Sequence, residues 1–440
     1  MTRSLRFVHA ADLHLDSPFK GLQPMPDALR EQVIQSGLEA WDALVDLTLE
    51  QKADALLLCG DLHDSNARSL RSQWRLTRGM ERLVQAGVQV FIIHGNHDPM
   101  NVHHNWEWPS GVVVMSAERP ESYWITNQAG EIAAVVTGMS YGTQAVYDNL
   151  AARYPNIPEA EINDSGKEKG LVQRPYRIGM LHGTVDGRQD HDPYAPCSKQ
   201  QLIEKGYDYW ALGHIHKREI IHEAPWIIYP GNLQGRHVKE TGAKGAYVVD
   251  VNTDGSSVVQ FHALDRIRWV DAELSLDEVN SKQELVDLLW DRLEQWRDEE
   301  VALHLVRITL AGRSILHREL MSGTLLAELE AMWKDAEQQH LEQGAAIVWP
   351  VAVRVDSRSL TNVAEWRESD HFIGEAVRIT EQVIEEEVEM QQWLDEALQP
   401  LLQQRRLLRW SEELSDERRK ELLNEALHLV VDMLEGDAAT

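Results

Sequence analysis

Residues 90–98 read VFIIHGNHD. The run VFII has no polar interruption, as expected of a short strand buried on both faces. A plain surface turn would be satisfied by Gly-Asn alone. Here an amide, an imidazole and a carboxylate crowd the strand's carboxyl end, where α/β sheets place their ligands.

Four other segments end in the same way. HAADLHLD (9–16) offers Asp12 and His14, and LLLCGDLHD (56–64) offers Asp61. GMLHG (179–183) offers His182, and WALGHIH (210–216) offers His214 and His216. VFIIHGNHD adds Asn96, His97 and Asp98. In extended backbone, residues i and i+2 point the same way, so Asp-x-His and His-x-His are expected to bring two ligands onto one ion. Neighbouring glycines let the backbone turn closely around it. Five strand ends bearing Asp, His and Asn describe a dinuclear metal centre. Two divalent ions set against Asp12 and Asp61 leave the site positive, which suits an anionic phosphodiester, and such a pair activates water for attack on phosphorus. Imidazole plus carboxylate ligation fits Mn2+, Fe2+ or Zn2+, and spacing alone does not choose among them; the cofactor expected is a pair of divalent ions, Mn2+ first, with Fe2+, Zn2+ or Mg2+ as alternatives.

The rest of the chain frames this centre. Its 440 residues suffice for two or three domains. No apolar run is long enough for a membrane span, and the opening MTRSLRFVHAADLHLD lacks a signal-peptide core. Two cysteines exclude a disulfide framework, so a cytoplasmic location is expected, nucleoid-associated if DNA is the substrate. The net charge of −28 argues against nucleic acid at first sight. However, residues 1–270 carry 26 basic and 33 acidic side chains, net −7, while residues 271–440 carry 17 and 38, net −21. Acidity concentrated in the last part of the chain leaves DNA open as a substrate.

Short apolar strands alternate with helical stretches over the first 250 or so residues, with helices expected at 27–51 and 66–86. Residues 150–175 read as a loop or flap. From 268 to 356 the pattern becomes strand, helix, strand, helix, strand. Two helices follow, at 375–408 and 416–435, the second with Ser415 as N-cap and Gly436 just past its end. The domains expected are 1–265, 266–358 (a small α/β domain) and 359–440 (a linker and helices); the family resemblance drawn from the motifs below gives them nuclease, DNA-contacting cap and partner-binding roles in turn.

DLHLD, GDLHD, GNHD, LHG and GHIH, in this order over residues 9–245, resemble the calcineurin-like metallophosphoesterase superfamily. Within it the chain resembles SbcD-type DNA repair nucleases. YPGNLQGRHVKETGAKG (229–245) and the opening HAADLHLDSPFKGL look closest to the YhaO branch. The resemblance implies a four-layer sandwich of two mixed β-sheets flanked by helices, with a small α/β capping domain and a C-terminal helical segment. It implies one metal on Asp12, His14, Asp61 and His216, and a second on Asp61, Asn96, His182 and His214, with Asp61 bridging. His97 then stabilises the transition state or protonates the leaving oxygen, and Asp98 orients His97. Gln234, Arg236, His237 and Lys239 are expected to contact DNA phosphates. One departure is Asp64, where archaeal and eukaryotic relatives carry histidine, so the role of that histidine in exonuclease action is not carried over to this chain. The resemblance also implies homodimerisation, and docking of C-terminal apolar positions (Val383, Ile384, Val388, Met390, Trp393) on an SMC-like ATPase of the SbcC/YhaN kind.

Several other polar residues carry blander readings. His63 is expected to face solvent, His94 to pack beside the site, and His103, His104, Asp186 and His191 to lie in loops. Arg68, Arg71, Arg75, Arg78 and Arg82 fit a DNA-facing or a solvated helix face equally. The function expected is a metal-dependent DNA nuclease in repair. The alternatives are a phosphodiesterase or nucleotidase acting on small nucleotides, and a non-catalytic subunit of a repair assembly.

Overall fold

The computed structural model describes residues 3–19, 21–22, 24–64, 69–102, 107–156, 174–187, 192–297, 301–360, 366–368, 371–399 and 415–438. The chain divides into two compact units. One comprises Met1–Ala272, Leu293–Ile308 and Met332–Ala352; the other comprises Glu273–Arg292, Thr309–Ala331 and Val353–Thr440.

The strands, in chain order, begin with β1 (Arg3–Ala10), β2 (Ala55–Cys59), β3 (Gln89–Ile93) and β4 (Val112–Val114). Then come β5 (Glu121–Thr126), β6 (Ile132–Gly138), β7 (Tyr176–His182) and β8 (Tyr209–Gly213). β9 (Glu219–Glu223), β10 (Trp226–Tyr229), β11 (Gly245–Asn252) and β12 (Ser257–Ala263) complete two six-stranded sheets. The first has the order β12-β11-β1-β2-β3-β4 and the second β5-β6-β7-β8-β10-β9. Both are mixed. β1 to β4 run parallel with antiparallel β11 and β12 at one edge. β6, β7, β8 and β10 run parallel between antiparallel β5 and β9.

The unbroken apolar runs follow from burial on both strand faces. Leu56, Leu58, Val90 and Ile92 pack under helices α1 (Asp27–Glu50) and α2 (Leu70–Gln85), against Trp41, Leu44, Met80 and Leu83. Their alternates Leu57, Cys59, Phe91 and Ile93 meet Val136, Ile178, Met180 and Ala211 of the second sheet. The far face of that sheet buries Leu181, Trp210, Leu212 and Ile227 against Leu150 and Leu202. Helix, sheet, sheet and covering segments make four layers, as the motif order implied. The carboxyl ends of β1, β2, β3, β7 and β8 carry all seven residues expected to hold metal.

The order strand, helix, strand, helix, strand holds beyond residue 266, with β13 (Ile267–Ser275), β14 (Leu303–Arg313) and β15 (Ile347–Arg358) in a third sheet. Two C-terminal expectations need correction. The helix expected at 375–408 is broken at Glu386, whose ψ of 99° leaves the helical region; Phe372–Glu385 and Glu387–Leu398 are separate helices, and 400–414 lie outside the described residues. Ser415 does cap the last helix, its hydroxyl accepting from Arg418 N at 3.3 Å, but that helix runs through Gly436 to Ala438. One interior glycine costs only about 1 kcal/mol against alanine, too little to stop a helix by itself. Val383 and Met390 are buried against Leu423 of this same helix, so they belong to intrachain packing rather than to a free docking face. Val388 has no described side chain, and Trp393 is half exposed.

Of the other stretches read from sequence, Leu150–Arg153 form a short 3-10 turn, and 157–173 lie outside the described residues. So do Arg68, His103, His104 and His191. Arg75 and Arg82 of α2 bond Asp42 and Asp46 of α1, so much of that basic row staples two helices together. Among the described residues, no helix is long and apolar enough to cross a membrane.

Candidate metal centre

Backbone geometry brings the strand ends together, though not by the expected route. Asp12, His14 and Asp61 have φ of 52°, 45° and 52°, and His214 has 98°. These are left-handed conformations, so the Asp-x-His and His-x-His pairs converge through tight turns rather than through the alternation of a strand. Each such residue costs about 1–3 kcal/mol and persists only where its surroundings over-determine it. The bonds that do so run between turns. Asp12 N donates to Gly60 O, His14 N to Asp61 O, and His214 N to both carboxylate oxygens of Asp12 at 3.0 Å. Glycine is required where turns touch. A Cβ on Gly213 would fall on the Cys59 carbonyl, and one on Gly95 on the Asp61 carboxylate.

Asp12, His14, Asp61 and His182 are at most 2% exposed, and His214 is 8% exposed. Asp61 Oδ2 lies 3.3 Å from His182 Nε2 and 3.7 Å from His14 Nε2, between one histidine of each expected metal set. His14 Nε2 faces His216 Nε2 at 3.1 Å. Asn96 Oδ1 faces His182 Nε2 at 3.1 Å and His214 Nδ1 at 3.2 Å. Donor atoms of Asp12, His14 and His216, and those of Asp12, Asp61 and His182, lie within 4.8 Å of one another.

The partners on the far side of each ring fix its tautomer. A backbone carbonyl can only accept, so His182 carries its proton on Nδ1 (to Cys59 O, 2.9 Å) and His214 on Nε2 (to Asp192 O, 3.1 Å). Carboxylates do the same for His14 (Nδ1 to Asp64, 2.8 Å) and His216 (Nδ1 to Glu240, 2.7 Å). With each ring neutral, the remaining nitrogens carry lone pairs, and each points at another acceptor: nitrogen at nitrogen, or nitrogen at carboxylate or amide oxygen. Acceptors facing acceptors repel unless a proton or cation sits among them. Imidazole, carboxylate and amide donors held this way fit divalent metal ions.

The titration behaviour shows a proton taking the cation's place on His182. Burial pushes Asp12 up to about 6, against the pull of His182 and His216. Burial also works against charge on Asp61 and His182, yet their mutual attraction wins, holding Asp61 well below the usual carboxylate range and lifting His182 to about 9. Burial, with Arg236 nearby, lowers His14 to about 3, keeping its ring neutral.

Three expectations about individual residues are overturned. Asp98 does not orient His97. Fully buried, it accepts from Asp61 N (3.2 Å), Leu62 N (2.9 Å), Gly95 N (2.8 Å) and His94 Nδ1 (3.1 Å), tying the turns after β2 and β3 together. The carboxylate beside His97 is Asp64, 2.9 Å from its Nδ1, and that hydrogen bond raises the His97 pKa. Gln234, 1% exposed, is out of DNA's reach; its amide bonds Arg266 N and Ile267 O. Arg236 is different: its guanidinium lies 4.0 Å from Asp64, and its buried Nε has no hydrogen-bond partner among the described residues. His237 is half-buried and Lys239 exposed. His63 is buried rather than solvent-facing, while His94 packs behind the turn as expected. Glu240 was missed by sequence reading; its only signal was an acidic residue in an otherwise basic polar loop.

Comparison with known proteins places this geometry. Residues 5–218 match the calcineurin-like phosphoesterase family, and residues 269–358 match the middle domain of metallophosphoesterase YhaO. The metallophosphoesterase YhaO of Bacillus subtilis (strain 168) is 37% identical over 380 residues, covering 85% of this chain and 86% of the relative. The DNA double-strand break repair protein Mre11 of Sulfurisphaera tokodaii is 21% identical over 83% of this chain and 90% of its own length. That of Aeropyrum pernix is 24% identical over 57% of this chain and 58% of its own.

Proposed function

This chain belongs to the calcineurin-like metallophosphoesterase family and carries a YhaO-type middle domain, and from that premise we propose that it is a metal-dependent DNA nuclease acting in repair. Asp12, His14, Asp61 and His216 hold one divalent ion, and Asp61, Asn96, His182 and His214 hold the other, Mn2+ being the ion proposed. The observation that carries the reading is the set of lone pairs turned on one another, above all His14 Nε2 and His216 Nε2 at 3.1 Å. DNA as substrate is supported by the similarity to Mre11 proteins along most of the chain.

When bound, the two ions supply an activated water and charge stabilisation for in-line displacement at phosphorus. The chain's own groups do the rest. Asp61 spaces the two halves of the site and holds His97 N at 2.8 Å through Oδ1. Asp64 keeps the His97 imidazole protonated further up the pH scale, and His97, whose side chain is 46% exposed, donates a proton from Nε2 to the leaving oxygen. Arg236, whose guanidinium lies 4.0 Å from Asp64 beside the centre, supplies positive charge for a non-bridging phosphate oxygen. His237 and Lys239 extend that contact along the strand. A homodimer working with an SMC-like ATPase completes the proposal, the ATPase meeting the C-terminal helices through exposed Phe372, Ile379 and Trp393.

The test is hydrolysis of end-labelled single- and double-stranded DNA by the purified chain with Mn2+, with and without chelator. Metal-dependent degradation that His97→Ala reduces by about 10²–10⁴ is expected. Hydrolysis of cyclic nucleotides but not of DNA would replace the substrate. No hydrolysis of any phosphodiester would overturn the activity.

A further inference from the structure

The four imidazoles of the centre are all anchored at their far nitrogen, but the anchors differ in kind. His14 and His216 lean on carboxylates, Asp64 at 2.8 Å and Glu240 at 2.7 Å. His182 and His214 lean on backbone carbonyls, Cys59 at 2.9 Å and Asp192 at 3.1 Å. A carboxylate draws the ring proton more strongly than a neutral carbonyl, leaving the opposite nitrogen a stronger donor to a cation. The two halves of the site are therefore chemically unequal although their direct donors are similar.

We propose that Glu240 is a positioning residue that makes the His14–His216 side the tighter of two inequivalent divalent-metal positions. The inference rests on the metal reading above and goes beyond it by ranking the positions. Glu240 is built for the task. Its Oε2 accepts from Arg236 N at 2.7 Å and Asn232 Nδ2 at 3.1 Å, which fixes the carboxylate plane and leaves Oε1 to His216. Its side chain is 17% exposed, so water competes little for that bond. Asp64 backs His14 but also holds His97, whereas Glu240 acts on a metal-facing histidine alone and separates metal affinity from proton transfer.

The experiment is calorimetric titration of the metal-free full chain with MnCl2, with electron paramagnetic resonance counting unbound Mn2+. Wild type takes up Mn2+ in two unequal steps. Glu240→Gln weakens the tighter step by about 10- to 100-fold and leaves the weaker one in place. Asn232→Ala removes one of the two bonds that fix the carboxylate plane but leaves the bond to His216, and it weakens the tight step less than Glu240→Gln does. Should Glu240→Gln lose its cooperative melt, Glu240→Asp is measured instead and must weaken the same step. Two identical steps in wild type, an unchanged tight step in the Glu240 variant, or equal losses in Glu240→Gln and Asn232→Ala overturn the inference alone. A wild type that binds no Mn2+ overturns the metal reading beneath it.

Discussion

Replacing Asp98 with asparagine separates two roles for a residue beside the proposed acid. Both carboxylate oxygens are occupied by donors, Oδ1 by Asp61 N and Gly95 N, Oδ2 by Leu62 N and His94 Nδ1. Asp98→Asn keeps the shape but turns one oxygen into an amino group facing two donors. Two buried donors then lose their acceptor at about 1–3 kcal/mol each, so the loss should be roughly 2–6 kcal/mol. For a unit of this size that lowers Tm by roughly 4–20 °C. Because the stapled turns carry Asp61 and Asn96, Mn2+ affinity should fall as well. Scanning calorimetry of the metal-free protein and Mn2+ titration of both chains give the readouts. If Asp98→Asn melted within about 1 °C of wild type while losing only catalysis, Asp98 would be acting through His97 and the stapling account would be refuted.

Asp64→Asn removes the carboxylate that raises the His97 pKa, so the loss of phosphodiesterase activity toward alkaline pH should begin at lower pH than in wild type; an unmoved alkaline limb on bis-p-nitrophenyl phosphate would contradict the role given to Asp64. Gly213→Ala places a methyl on the Cys59 carbonyl that anchors His182, and both Mn2+ binding and Tm should drop sharply; a variant with wild-type values would show the approach to be slack. His9 donates from Nε2 to Leu212 O at 3.1 Å and accepts from Tyr209 at 3.0 Å, and burial lowers its pKa from 6.5 to about 3. Between those values the unfolded chain binds the extra proton, so stability must fall as pH falls through 6.5, by about 1 kcal/mol per pH unit from this residue. His9→Gln should flatten the plot of urea midpoint against pH in that window, and an unchanged slope would remove His9 as a source of acid sensitivity.

The sheets and the cluster at their ends were legible because buried parallel strands advertise themselves. Runs such as LLLC and VFII have no solvent face, so the first polar residues after them fall at a common edge. What sequence could not carry was direction. Asp98 follows His97 in the chain, yet it turns inward to backbone donors, and Asp64, thirty-three positions earlier, reaches His97 instead. Asp12 and His14 sit in left-handed turns that spacing alone represents as a strand. Gln234 and Arg236 are two residues apart in one polar loop, and only packing tells that one is a buried staple and the other has a nitrogen to spare. Glu240 acts across twenty-four residues, beyond any local pattern.

Anomalous diffraction at the manganese edge from crystals grown with Mn2+ tests the central claim most directly. Two peaks are predicted, one contacting His14 Nε2 and His216 Nε2, the other contacting Asn96, His182 Nε2 and His214 Nδ1, with Asp61 Oδ2 shared between them. A map without peaks there, with His14 and His216 still nitrogen to nitrogen, would mean that a proton and not a metal resolves the facing lone pairs.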